Sequence, residues 1–247
     1  MLVKIGDTTA EVRVEAILSG PRFGPLSNFF GWVEALMPLG IRPTLGQGAL
    51  WGQVLQRTME EWVDKCEYIL TLDFDSFITQ RDIEELFALA MTFQCDAITG
   101  FQVKRDDGRP MLTLKDTLGA VREGDSISVD GRWLGQPVQE VDTAHFGCTV
   151  ISTAALARTP KPWFLDTPNE KGEYGDGRTD ADIHFWKQFR KAGNRVFVSP
   201  RITIGHGEWV AVWPGAKLES PVFQYVPDFH ANGKPKNSWR IPQDPTA

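Results

Sequence analysis

Tyr68-Ile69-Leu70-Thr71-Leu72-Asp73-Phe74-Asp75-Ser76 is an apolar run that stops abruptly at two carboxylates flanking one aromatic ring. The run fits a buried strand of a parallel sheet. Nothing in core packing asks for its acidic ending. In open α/β sheets ligands bind beyond the carboxyl ends of the strands, so this strand would deliver Asp73 and Asp75 to a ligand crevice. Residues two apart on an extended chain point the same way, so both carboxylates could face one cation. The competing reading makes them turn formers that lead into the next helix.

The flanking sequence sets that strand in context. Upstream, Val12, Val14, Ala16, Ile17 and Leu18 read as a first strand that opens at Ser19-Gly20-Pro21 into a loop. Ser19 and Arg22 there are candidate ligand contacts. Phe29, Phe30, Val33, Leu36 and Met37 follow at helical spacing, with Gly40 at a helix end. Ile41 to Leu45 suits an edge strand because of Pro43, and Trp51, Val54, Leu55, Met59, Trp62 and Val63 predict a second helix. Downstream, Thr79-Gln80-Arg81-Asp82 has the form of a capping box, which accounts for Asp82 as a cap. A helix and the strand Ala97 to Val103 come next. Strand and helix therefore alternate over about the first hundred residues, the signature of an α/β fold with a parallel sheet.

Beyond that point the pattern changes. Asp106-Asp107-Gly108-Arg109-Pro110 and Asp130-Gly131 read as hairpin turns between the short strands Met111 to Leu114 and Ile127 to Val129, giving a more antiparallel second half. His145 to Ser152 is a further strand, and Leu165 to Arg178 reads as a mobile loop or lid. Thr179-Asp180-Ala181-Asp182 opens an amphipathic helix closed by Gly193. Two strands, Arg195 to Val198 and Ile202 to Ile204, run into Gly205-His206-Gly207-Glu208-Trp209, and the proline-rich tail 214–247 reads as an irregular wrap.

With 247 residues and 42% apolar content, one large domain with that tail is expected. No run is long enough to cross a bilayer and the start has no signal-like block, which predicts a soluble, cytoplasmic protein. Cys66, Cys95 and Cys148 are scattered and odd in number, indicating neither a disulfide framework nor a zinc ribbon. A net charge of -6 gives no global pull toward nucleic acid or anionic membrane.

The order of these features resembles the GT-A glycosyltransferases, in particular the family-2-like nucleotide-sugar transferases. The matching residues are Asp73-Phe74-Asp75 after a βαβα half, then Phe146-Gly147-Cys148-Thr149-Val150-Ile151 as an acceptor-side strand. Asp182 in Ala181-Asp182-Ile183-His184-Phe185 and Gly205-His206 complete the pattern, which covers about Val12 to Trp209. Where the family often has Glu-Asp, this chain has Ala181-Asp182, with Asp180 just before.

The resemblance implies a mixed GT-A sheet, a nucleotide-diphosphate sugar as donor and a hydroxyl acceptor on a small molecule, glycan, protein or modified nucleic acid. It implies Mn²⁺ or Mg²⁺ held by Asp75, Asp73 and His206, with Ser19, Arg22, Asp73 and Phe74 on the donor. Gly147 and Trp209 would lie on the acceptor side. Such a cation would stabilise charge growing on the leaving diphosphate. Asp182 would take the acceptor proton, with Asp180 as the other acidic candidate, and a base that attacks no carbon gives inversion. Trp213, His184 and His145 rank behind these residues, and His230 in the tail carries no argument. Two alternatives differ in class: a haloacid-dehalogenase-like phosphatase with Asp73 as nucleophile, and a non-catalytic sugar- or nucleotide-binding module.

Overall fold

In the computed structural model the described residues are 1–20, 24, 26–105, 109–115, 135–215 and 220–238. The chain divides into two compact units, Met1–His206 and Gly207–Ala247.

The first unit opens with an antiparallel hairpin, β1 (Leu2–Ile5) and β2 (Thr8–Glu11), turned at Gly6 with φ 58°. The sequence reading did not anticipate it, because Val3 is its only deeply buried strand residue and no clear alternation results. Then β3 (Val14–Gly20), α1 (Leu26–Leu36), β4 (Pro43–Gln47), α2 (Trp51–Trp62) and β5 (Tyr68–Asp73) follow as expected. Both β4 and β5 pair with β3 in parallel. Pro43 opens β4 at the sheet edge, where its missing N–H costs no ladder bond.

Next come β6 (Ser76–Phe77), α3 (Gln80–Thr92), β7 (Ala97–Phe101), β8 (Thr113–Leu114) and β9 (Gln139–Thr143). They are followed by β10 (Cys148–Ser152), α4 (Thr153–Arg158), α5 (Ala181–Lys191), β11 (Val196–Thr203) and β12 (Gly205–His206). The capping box forms: the Thr79 side chain accepts from Asp82 N–H while the Asp82 carboxylate accepts from Thr79 N–H. Such a cap contributes about 1 kcal/mol.

The main sheet runs β4-β3-β5-β10-β7-β11-β9-β8 and is mixed, as the α/β reading requires. Its parallel run is shorter than the strand-helix alternation suggested. The later strand β10 inserts between β5 and β7, antiparallel to both. Residues 196–203 form one strand with a register shift between Ser199 and Thr203 rather than two strands. Asp130-Gly131 and Ile127 to Val129 lie outside the described residues.

Alternation on the strands builds a three-layer molecule. Ala16, Leu18, Leu70 and Leu72 pack with Trp32 and Leu36 of α1 and with Ile83, Leu86 and Phe87 of α3. Ile17, Ile69 and Val198 face the other way, onto Leu55 and Met59 of α2 and Phe185, Trp186 and Phe189 of α5. The three cysteines are buried and free, and burial pushes the Cys66 thiol to about 11 and the Cys95 thiol to about 12. No described helix is long and apolar enough to cross a membrane.

The second unit contains the antiparallel pair β13 (Val210–Trp213) and β14 (Val222–Tyr225), followed by α6 (Val226–Asn232). Within the expected irregular tail 214–247 the described residues hold β14, which pairs with β13 just before the tail, and the short helix α6. Pro227 does not oppose this, since it sits in the first turn of α6, where its missing N–H has no helical partner to lose. Trp213 packs on Phe229 with ring centroids 5.5 Å apart.

Candidate functional site

The carboxyl ends of β3 and β5 lie side by side, with β4 on the far flank of β3. The chain leaves β3 for one neighbour and returns for the other, so a crevice opens between the two strand tips. Ser19, next to last in β3, lies beside Asp73, its register partner on β5. The Ser19 hydroxyl donates to Asp73 Oδ1 at 2.5 Å, and the Trp51 indole N–H approaches the same oxygen at 3.3 Å. Burial raises the Asp73 pKa, and the repulsion of Asp75 adds to it, against the lowering effect of the Ser19 bond. Ser19 and Asp73, both donor contacts in the resemblance, therefore meet. Trp51 had been read only as helix core.

Phe74 turns to the other face and helps line a hollow of about 210 Å³ with Leu18, Phe29, Trp32, Leu45 and Gln47. The turn that follows is held from α1. Asn28 Nδ2 donates to the carbonyls of Phe74 (2.8 Å) and Ser76 (3.1 Å), and Trp32 Nε1 donates to Ser76 at 2.9 Å. Arg22 lies outside the described residues.

Asp75 meets His206, although 131 positions separate them in the numbering of the chain. They are brought together by the short pairing of β6 with β12, which sets His206 opposite Ser76. His206 Nδ1 lies 2.9 Å from the Val103 carbonyl. A carbonyl can only accept, so Nδ1 carries the proton, and in the neutral ring Nε2 presents a lone pair. That Nε2 lies 3.6 Å from Asp75 Oδ2. A carboxylate oxygen facing such a lone pair is favoured by a positive charge between or beside them. Arg105 supplies one: its Nη1 is 3.1 Å from the same oxygen. Arg105 was absent from the sequence candidates. Its signal was its place four residues beyond β7, on the side of the sheet where β5 also ends.

Beneath this pair lies a polar floor. Gln102 Nε2 donates to Ser76 Oγ at 3.3 Å and to the Gly205 carbonyl at 3.2 Å, joining the residues next to Asp75 and His206. His145 is buried, with Nε2 2.9 Å from the Gly100 carbonyl and Nδ1 accepting from the Gly147 N–H at 3.0 Å. Burial pushes its pKa down to about 4, so it stays neutral and acts as a strut rather than an acceptor contact. Gly147 touches both groups. A Cβ there would come within 2.5 Å of Ser76 Oγ, 2.8 Å of Gln102 Oε1 and 3.0 Å of His145 Nδ1. The glycine foreseen for the acceptor side is thus required by close approach of the floor.

An aromatic cluster carries the frame across to α5. Trp51 packs edge-on to Phe146 and Phe164 at 5.4 Å each, Phe146 stacks on Trp186 at 5.0 Å, and Phe164 stacks on Phe185 at 4.9 Å. Beside Trp51, a Cβ on Gly52 would lie 3.2 Å from that of Ala181, so the first residues of α2 and α5 are in near contact. Position 181 is 7% exposed and has room for a methyl, which accounts for alanine where the resemblance led to glutamate.

Asp182 follows at the N-terminus of α5. Burial raises its pKa, while the Ile183 N–H, 2.8 Å from Oδ1, lowers it and the charges of Asp180 and Asp166 raise it further. Asp180 is placed differently. It is the N-cap residue by backbone position, but its side chain caps nothing and pairs with Arg178, Nε to Oδ1 at 2.6 Å. The side chain that caps this helix is Asp166, whose Oδ1 accepts from Ala181 N–H at 2.9 Å. The loop 165–178 is closed on itself by Asn169, which accepts from the Lys171 and Glu173 N–H groups and donates to the Asp176 carbonyl.

Trp209 belongs to the second unit, with its surface 64% exposed. Trp213 packs within that unit, and His230 is exposed on α6. His184 Nε2 lies 3.3 Å from the Pro162 carbonyl.

No family model matches the sequence, and no curated protein matches it. Solved structures do. GalNAc-T7, crystallised with UDP, GalNAc and Mn²⁺, aligns with a TM-score of 0.51 at 8% identity over 79% of this chain and 43% of its own. The chain has a GT-A-like fold. A197 from STIV aligns with a TM-score of 0.47 at 14% identity, over 79% of this chain and 95% of its own. Glucosyl-3-phosphoglycerate synthase from Mycobacterium tuberculosis gives 0.45 at 14% identity, over 80% of this chain and 73% of its own.

Within the GT-A-like sheet the acidic strand comes third in the βαβαβ unit. The phosphatase alternative leads instead to an acidic strand at the opening of the fold. Among the described residues no three His, Cys, Asp or Glu side chains gather to cage a metal. The donors present fit a cation shared with a ligand: one carboxylate oxygen and one imidazole lone pair, both directed at the same small space. Mg²⁺ and Mn²⁺ are commonly held this way, by few protein ligands plus phosphate oxygens.

Proposed function

We propose that this chain transfers a sugar from a nucleotide-diphosphate donor to an acceptor hydroxyl, with a divalent cation and with inversion at the anomeric carbon. The observation that carries this reading is the convergence of Asp75 Oδ2 and His206 Nε2, 3.6 Å apart, just beyond the end of β5. Ser19 and Asp73 stand at the same strand tips. The fold adds support, since GalNAc-T7 was crystallised with UDP, GalNAc and Mn²⁺.

In this reading Asp73 accepts from a ribose hydroxyl through Oδ2, its Oδ1 being taken by Ser19 and Trp51. The apolar hollow beside Phe74 takes the flat base, with Gln47 as its polar contact. A divalent ion bound at Asp75 and His206 would neutralise charge on the departing diphosphate. Asp182 removes the proton from the acceptor hydroxyl, because its burial preserves the basicity that an exposed helix-terminal carboxylate lacks. Asp180 is the weaker candidate, since Arg178 already holds its carboxylate.

A donor screen tests the reading. Nucleotide-diphosphate sugars are incubated with Mn²⁺ or with chelator, nucleoside diphosphate release is measured, and the product anomer is assigned by NMR. Chelator-sensitive release with inversion is expected, and retention or binding of no donor by calorimetry would overturn the assignment. Asp182→Asn should cut turnover by about 10²- to 10⁴-fold. In the wild type the acid limb of kcat/KM should lie above the usual carboxylate range, because the group must be ionised to act and its pKa is raised.

The stability sign is opposite. A raised folded-state pKa means that the fold favours the protonated acid. That contribution is full below the unfolded carboxylate pKa and is lost as pH rises through the folded one. At neutral pH the ionised Asp182 therefore costs stability, and Asp182→Asn should melt at or above the wild-type temperature.

A further inference from the structure

The same oxygen of Asp75 that faces His206 is held by Arg105. Nη1 of Arg105 lies 3.1 Å from Asp75 Oδ2, with the arginine side chain 41% exposed and the aspartate 14%. Both holds come from one segment, which also carries the floor residue Gln102. The Val103 carbonyl fixes His206 through its backbone, and Arg105, two residues on, reaches Asp75 through a long side chain. Backbone bridging of Val103 to Pro110 and the Lys104 N–H bond to the Arg109 carbonyl (2.8 Å) anchor the base of that side chain. The histidine is held at its ring by a backbone carbonyl, while the arginine reaches Asp75 through a long, partly exposed side chain.

A divalent ion at Asp75 Oδ2 would stand within a few ångströms of the guanidinium, and like charges at that distance repel strongly. Ion and guanidinium therefore compete for one oxygen. A guanidinium displaced from a carboxylate has an obvious second ligand in this site, since its planar fork matches phosphate oxygens as well as carboxylate ones.

We propose that Arg105 guards the cation site: it occupies Asp75 in the ligand-free protein, yields that carboxylate to the divalent ion, and then binds the donor's diphosphate. The proposal rests on the transferase reading above. It makes Arg105 a residue that touches the leaving group, and it couples loading of the ion to loading of the donor, because each arrival gives the guanidinium a reason to leave Asp75.

The test uses the full chain and two probes, Mn²⁺ alone and Mn²⁺ with inorganic pyrophosphate, followed by electron paramagnetic resonance of free Mn²⁺ and by calorimetry. Arg105→Ala should bind Mn²⁺ alone about two- to fivefold more tightly, the gain expected when a partly exposed ion pair no longer competes. The same variant should bind pyrophosphate in the presence of Mn²⁺ about tenfold or more weakly. Unchanged or weaker Mn²⁺ binding by Arg105→Ala overturns the guarding role, and unchanged pyrophosphate binding overturns the diphosphate contact. Asp75→Asn separates the two levels. Loss of Mn²⁺ in Asp75→Asn without a gain in Arg105→Ala removes only the role of Arg105. Wild-type Mn²⁺ binding by Asp75→Asn removes the cation site itself and the guard with it.

Discussion

Asp73 and Asp75 are neighbours but one, yet the protein holds them by different means. Asp73 sits on the α2 side, against Ser19 and Trp51, and Trp51 belongs to an aromatic cluster that reaches through Phe146 and Phe164 to Phe185 and Trp186 of α5. Asp75 sits where β6 meets β12, a pairing of two residues on each side that Gln102 braces, with Gly147 close beneath Ser76. The hydrogen-bonding partners of Asp73 are backed by a packed aromatic cluster, whereas Asp75 depends on a small hydrogen-bonded bridge. Packing errors propagate into global stability, whereas a lost hydrogen bond in a small bridge is felt first where the bridge stands.

The contrast is broken most forcefully from the packed side. Phe185 is fully buried, and Phe185→Ala should cost about 3–5 kcal/mol in chemical denaturation. The molecules that remain folded should keep their Mn²⁺ affinity, and a large loss of that affinity would show that the halves are not independent. Gly147→Ala should come next, at about 1–3 kcal/mol, because its methyl would meet Ser76, Gln102 and His145 together. Here weaker Mn²⁺ binding is expected as well, since the collision lies beneath Asp75 and His206. Gln102→Ala should cost about 1–2 kcal/mol, leaving Ser76 Oγ and the Gly205 carbonyl without this donor. Its signature is loss of cation affinity that exceeds the loss of stability, and equal losses would argue against a positioning role. The smallest effect is expected from Trp51→Phe, under about 1 kcal/mol, because the ring packing survives and only the indole N–H goes. Donor affinity should fall modestly with cation affinity unchanged.

The packed half was the more legible of the two in the sequence. The βαβαβ order, the apolar strand and its acidic end, the capping box and the helix at Ala181 each announce themselves through periodicity or spacing. What periodicity could not show was the insertion of β10 between β5 and β7, because antiparallel insertion depends on which strand tips find one another across the chain. The pairing of Asp75 with His206 came from the resemblance, while their bridge, Gln102, Arg105 and the strut His145 are contacts between segments with no local pattern. Asp180 shows the limit in the other direction. Its sequence position is that of a capping acid, but Arg178 captures its carboxylate and Asp166 caps the helix from a distance. Local rules named the right kind of residue and tertiary structure chose another.

The register shift in β11 has one more consequence. Ser199 pairs with Gly100 and Thr203 with Phe101, so Pro200, Arg201 and Ile202 are interposed against no residue of β7. These three residues act as a spacer that fixes where the strand resumes, and therefore which way the chain points three residues later at His206. The length of this small excursion, a trait invisible to any inventory of polar groups, sets where β12 starts, and the pairing of β12 with β6 then aims the histidine.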